Sequence, residues 1–285
     1  MFVECIKMSE RGIINIVGLS VLVVIIVFTY GEVIQWMYGR YISADSYYSH
    51  GFIIPFVVLF LVWQKKKLLL CLPQHQSKIG LGLIIFALGL HILGTILYIF
   101  SISSFSLFFL IIGLILYLFG MDITKIIWFP LLFLIFMFPV PIAFINLISF
   151  PLKIIAAKGG VYLASLVGIP VYREGFNISI PAGHLLVGNP CSGLRSLISF
   201  MALGSIFAYL TKLTRARKLI LFSLSIPIAL LSNLIRVSIL ILTSHYMGLA
   251  AAGPGTLIHN GSGILIFILG LLLMQLSAKV LEWQI

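Results

Sequence analysis

Charge is what this sequence has least of. Of its 285 residues 9% are charged and 61% hydrophobic, and seven Asp and Glu stand against 18 Lys and Arg. With a mean hydropathy of +1.21, that usage excludes a soluble globular domain and points to an integral membrane protein. The net charge of +11 does not indicate nucleic acid as a partner. A nucleic-acid reader needs a clustered basic face, whereas these charges lie between apolar runs, where they set topology. Cysteine is also scarce. Cys5, Cys71 and Cys191 lack the regular spacing of a disulfide framework or a zinc site, so no metal and no cofactor are expected. No internal repeat or low-complexity tract is visible. The first apolar run follows Lys7 and Arg11 without a small-residue cleavage site, and it reads as a retained helix rather than a signal peptide.

Cutting the chain at its charges and turn residues leaves apolar runs near 13–30, 51–63, 79–99, 104–120, 126–140, 191–211, 219–242 and 257–278. Most reach the roughly 17–25 residues of a bilayer crossing; the second does so only if Tyr47 to Trp63 is counted. The expected fold is all-α, a polytopic bundle of about eight transmembrane helices in a single membrane domain spanning residues 1–285. With the N-terminus in the cytoplasm, Lys7, Arg11, Lys65, Lys66, Lys67, Lys78, Lys125, Lys212, Arg215, Arg217, Lys218 and Lys279 share one side, as the positive-inside rule requires. Arg40, Lys153, Lys158 and Arg173 fall on the other. Both termini are then cytoplasmic, in a plasma-membrane protein.

The segment 142–188 does not read as another crossing. Its first part, about 142–167, carries Lys153 and Lys158 in an apolar context and suits an interfacial or re-entrant helix. Its second part, about 169–188, contains the alternating stretch GFNISI, which predicts a short β-hairpin. The hairpin is expected outside the membrane, against the helix ends, and the segment 142–188 as a whole on the extracytoplasmic side. A ninth spanning helix here would invert everything downstream, against the basic cluster Lys212 to Lys218.

This topology brings Cys191, Arg236 and His259 to one height near the outer face. Asn189 is a good N-cap and Pro190 suits the first helical position, so Cys191 is expected in the first turn of the sixth helix. There the free N–H groups and the helix dipole favour the thiolate; the plainer alternative is a small apolar residue packed between helices. Arg236 lies inside an apolar run, with Asn233 one turn earlier on the same face and Ser232 at i−4. A buried guanidinium there faces the bundle interior or a wet cavity, unless it reaches outward to headgroups. His259, between PGT and NGSG, can exchange protons near neutral pH. Together a thiolate, an imidazole and a guanidinium suffice for acyl transfer. No acid lies nearby to orient His259, which leaves Asn260, Asn233 or a backbone carbonyl. Arg195, four residues after Cys191, either supports the thiolate or binds lipid phosphate, and Ser192 adjoins the thiol.

NPCSGLRS at 189–196, NLIR at 233–236 and the histidine of HNGSG, in that order on successive apolar runs, resemble the exosortase/archaeosortase family of membrane transpeptidases. SYYSHGFIIP at 46–55 resembles a segment near the start of such proteins. The resemblance implies a polytopic cysteine enzyme that cuts C-terminal sorting signals from exported proteins and transfers the remainder to an acceptor nucleophile through a thioester. It implies Cys191 as nucleophile, Arg236 as the family's arginine and His259 as the third catalytic group, the histidine being closer to exosortases. The soluble domain fused to some exosortases is not expected after the last run. A substrate would carry a motif, an apolar helix lying beside the bundle in membrane lipid, and a basic tail. His50 and Asp45, at the outer end of the second run, either line the site or serve local roles. His184 is expected at the surface, His91 and His245 in packing or at the interface, and His75 in a cytoplasmic loop. The rival readings are a transporter or flippase holding an anionic substrate on Arg236 and Arg195, for which broken helices at the midplane would argue, a non-catalytic assembly protein, and a membrane protease releasing its product to water.

Overall fold

The computed structural model describes residues 12–43, 46–73, 75–188, 191–253 and 255–283. They gather into two compact units, one of residues 1–44 and 48–141, the other of residues 45–47 and 142–285.

In the first unit helices α1 (Gly12–Ile42), α2 (Ile54–Gln64), α3 (Lys66–Leu70), α4 (Lys78–Ile96), α5 (Phe100–Ile126) and α6 (Trp128–Phe133) follow in order. The α4–α5 hairpin is its spine. In hydrocarbon, helices associate by close packing of small residues rather than by a hydrophobic drive, and here Gly80 abuts the backbone of Tyr117 while Gly94 abuts Ser103. Two buried serines of α5 turn their hydroxyls onto carbonyls of their own helix, Ser104 to Ser101 at 2.8 Å and Ser106 to Ser103 at 2.6 Å, and Ser103 donates across to the His91 carbonyl of α4 at 3.3 Å. Tyr30 of α1 meets Ser106 at 2.9 Å. Polar groups inside an apolar medium are thus paired rather than left exposed to lipid.

The second unit contains α7 (Ile142–Leu166), a three-stranded antiparallel sheet of β1 (Tyr172–Glu174), β2 (Asn177–Ile180) and β3 (Gly183–Leu186), then α8 (Leu194–Leu210), α9 (Arg215–Met247) and α10 (Leu257–Trp283). Helix α9 is the centre, packed against α7, α8 and α10. Gly160 of α7 sits on Val237 and Ile241 of α9. Basic residues at the start of α9 close the ends of its neighbours: Lys218 donates to the Tyr209 carbonyl of α8 at 3.4 Å, and Arg217 to the Leu281 carbonyl of α10 at 3.2 Å. Cations at helix C-termini satisfy carbonyls that lack a helical partner.

The all-α, polytopic expectation holds, with three revisions. Six described helices are long and apolar enough to cross a membrane, in α1, α4, α5, α7, α9 and α10, whereas Ser49–Gln64, Trp128–Met137 and Leu194–Leu210 are shorter. Helix α7 is one of the six by length and composition, properties that an interfacial helix shares. Pro151 stays within the helix, and Lys153 lays its ammonium 5.6 Å from the ring centre of Phe176, which lessens the cost of its charge. Second, the hairpin is a sheet of three strands, because Gly175 at φ 62° turns the chain from β1 into β2. Third, the sixth run becomes helical only at Leu194, with Gly193 at φ 81° preceding it.

Candidate active site

The second unit gathers Cys191, Asn233, Arg236 and His259 from a turn and two helices. Cys191 lies in the short turn between β3 and α8, its N–H donating to the Gly188 carbonyl at 3.1 Å. Gly193 fixes where α8 begins. Its φ of 81° is a conformation that residues with a Cβ rarely adopt, and a Cβ there would stand 2.8 Å from Nδ2 of Asn233. That same Nδ2 donates to the Cys191 carbonyl at 3.0 Å, so α9 holds the turn by its backbone. Ser192 faces the helix start, accepting from the Leu194 N–H at 3.3 Å. The expected setting of Cys191 in the first helical turn is thereby corrected: the thiol precedes the helix, and Arg195 does not share a helical face with it. Asn189 and Pro190 lie outside the described residues, as do Asp45 and Cys5.

His259 stands in the opening turn of α10, 8% exposed. Its N–H donates to Thr256 Oγ1 at 3.2 Å and its carbonyl accepts from Ser262 Oγ at 2.8 Å. Nδ1 lies 3.2 Å from the Ala252 carbonyl. A carbonyl can only accept, so this contact places the proton on Nδ1 and leaves Nε2 as the basic nitrogen. Of the three orienting groups considered from sequence, the backbone carbonyl is the one in place. Asn260 is exposed, and Asn233 is engaged with Cys191.

Cys191 and His259 line one cavity of about 340 Å³. Arg236, one turn after Asn233, is half-buried, and Gly263 of α10 leaves room for it, a Cβ there lying 3.6 Å from the guanidinium carbon. Its charge acts on both the Cys191 thiol and the His259 ring. Burial pushes the thiol above its ordinary range, while the charges of Arg236 and Arg195 pull the other way. The resting group is thus a neutral thiol, not the dipole-stabilised thiolate that a helix N-terminus would give.

The sequence reading missed one residue. His184, set aside as surface, is exposed, but it lines the cavity of Cys191, and its Nδ1 meets Ser179 Oγ across the β2–β3 ladder at 3.0 Å. Only the pairing of the two strands, invisible in the pattern GHLL, brings it there. His50 belongs to the other unit, half-buried in the turn Ser49–Phe52, and Cys71 is exposed in that unit. No group of three or more metal-ligating side chains occurs among the described residues.

Residues 40–276 match the family model of the transmembrane exosortases. No curated protein and no solved structure matches the chain.

Proposed function

The chain belongs to the transmembrane exosortase family, and on that premise we propose that it is a cysteine transpeptidase that removes C-terminal sorting signals from exported proteins and passes the remainder to an acceptor. Family membership and the apolar helices support a multi-pass membrane transpeptidase of the exosortase kind. The observation that carries the finer reading is the shared cavity of Cys191 and His259, with the charge of Arg236 acting on both.

In this mechanism Cys191 gives its proton to Nε2 of His259 as Sγ adds to the scissile carbonyl. A neutral, buried thiol makes that transfer part of the attack. The carbonyl electrons move to oxygen, and Arg236 stabilises the oxyanion. Collapse breaks the C–N bond, and the leaving amine takes the proton from His259. A thioester remains on Cys191. The acceptor nucleophile then yields its proton to His259, adds to the thioester carbonyl and expels the Cys191 sulfur, which takes that proton back from His259 and restores the neutral thiol. With both termini in the cytoplasm, Cys191 faces outward, and the substrate's apolar helix and basic tail set its cleavage motif at that depth.

The test is mass spectrometry of an exported substrate's new C-terminus, which gives both the cut and the attached group. With the acceptor withheld, a Cys191 thioester should accumulate and be released by hydroxylamine. Cys191→Ala should insert, fold and cleave nothing. Wild-type processing by Cys191→Ala would sink the reading.

A further inference from the structure

A second cavity, of about 290 Å³, lies wholly within the first unit, where α1 meets the α4–α5 turn, and its lining includes Phe28, Glu32, His91, Tyr98, Phe100 and Ser103. Three features there are costly for the fold. Glu32 is the one acid of α1, and among the described residues it makes no hydrogen bond or ion pair. The nearest cation along its helix, Arg40, is instead placed 5.6 Å from the ring centre of Trp36. Tyr98 is the only residue other than glycine with a positive φ, 54°, among the described residues. His91 carries a buried Nδ1 with no hydrogen-bond partner. A carboxylate in a membrane helix and a strained tyrosine are the kind of expense that a ligand site explains.

The depth identifies the ligand's surroundings. Helix α4 has 19 residues, a rise of about 28 Å that nearly matches the roughly 30 Å hydrocarbon thickness. Its last turn and the α4–α5 turn therefore mark a membrane–water boundary, and Glu32 shares a cavity with them. The hydroxyls of Thr95 and Ser103 both donate to the His91 carbonyl, at 2.9 and 3.3 Å. The carboxylate is thus the one charged group in the lining. Aromatic rings line the same cavity, with Phe28 91% and Tyr98 87% exposed. A carboxylate in an aromatic-lined cavity is complementary to an organic cation, through ion pairing and the negative faces of the rings.

We propose that this cavity binds the ammonium headgroup of a zwitterionic phospholipid, with Glu32 pairing to the nitrogen and Phe28, Tyr98 and Phe100 flanking it. The acyl chains lie along the neighbouring exposed apolar residues Ile96 and Leu97. The inference is independent of the Cys191 chemistry, and its test reads lipid rather than turnover.

The full chain would be reconstituted in nanodiscs of equal phosphatidylethanolamine and phosphatidylglycerol, and the lipid retained on release would be read by native mass spectrometry. The ethanolamine lipid should be retained over the glycerol lipid by roughly fivefold, the size of a cation–π contact with an exposed ion pair. Glu32→Gln, close in shape, should abolish that preference. Tyr98→Gly should weaken it too, and because glycine relieves the backbone at that position, its loss would not be a folding failure. Equal retention of the two lipids by the wild type, or an unchanged preference in Glu32→Gln, overturns the proposal. Displacement of the bound lipid by millimolar free ethanolamine would also overturn it, since the site would then belong to a soluble amine.

Discussion

The cavity of Cys191 and the cavity of Glu32 are built from opposite materials. Around Cys191 the polar groups come from places where the chain leaves regular helix: the turn before α8, the strand β3 and the opening turn of α10. Each is fixed by a named bond, Asn233 on the Cys191 carbonyl and Ala252 on His259, and the nearby charge is cationic. Around Glu32 the walls are the three long helices α1, α4 and α5 and the strained turn at Tyr98, and the charge is one carboxylate without a partner among the described residues. The contrast shows what backbone irregularity contributes inside a membrane protein. A turn held by helix side chains can aim a thiol and an imidazole at one space, whereas a helical hairpin offers a slot whose charge waits for a partner.

Gly193 is where that contrast is most easily broken. Alanine at φ 81° costs about 1–2 kcal/mol of backbone strain, and its methyl would meet Asn233, the side chain that holds the turn. Displacing the thiol by about 1 Å can cost on the order of 10²-fold in rate. Gly193→Ala should therefore lose at least that much cleavage while the lipid preference of the first unit stays unchanged. Asn233→Ala, alone and added to Gly193→Ala, separates the two causes: a double mutant less damaged than the sum of the two single changes assigns the Gly193→Ala loss to the overlap, and an additive loss assigns it to strain. Near-wild-type cleavage by Gly193→Ala would mean that the turn does not position the thiol.

The same glycine explains much of what sequence could and could not foretell. NPCSGLRS, Arg236 and His259 were legible as a set because residue type and depth can be read from apolar runs and charge asymmetry, and all three fall in one unit. The start of α8 was not legible: Asn189 and Pro190 form a good capping signal by composition, but Gly193 stands three residues after Pro190 with a left-handed backbone, and α8 begins only after it. The setting of Lys153 in α7 was not legible either, because the ring of Phe176 that receives it comes from a distant turn. Such tertiary partners leave no local trace.

Arg236 sharpens the comparison from the electrostatic side. If its charge offsets burial at Cys191, Arg236→Gln leaves burial unopposed apart from Arg195, and the thiol must move further above its ordinary range. Alkylation by iodoacetamide, with Cys5 and Cys71 replaced by serine, follows the thiolate fraction. Its rate should rise with pH to a midpoint above that of a free thiol in the wild type, and to a higher midpoint still in Arg236→Gln. Cleavage should fall by roughly 10²–10³-fold, as on removal of an oxyanion donor. An unmoved midpoint would show that the guanidinium does not act on the thiol.

The smallest expected effect belongs to His184, the one polar cavity residue that comes from the sheet. Its ring is fixed by Ser179 and exposed at the rim, unlike the buried His259, so it is placed to touch substrate or acceptor rather than to serve the thiol. Loss of one such hydrogen bond is worth about 1 kcal/mol, or roughly fivefold. His184→Ala should therefore raise KM by that factor and leave thioester formation at saturating substrate nearly unchanged. Ser179→Ala, which only frees the ring, should give a weaker version of the same change. The split between KM and kcat is what separates a rim contact from a proton-transfer group. Were turnover at saturating substrate to fall by roughly a hundredfold or more, the size usual for general acid–base groups, His184 would move into the reacting set. The distinction between a thiol site served from turns and a sheet that only borders it would then be gone.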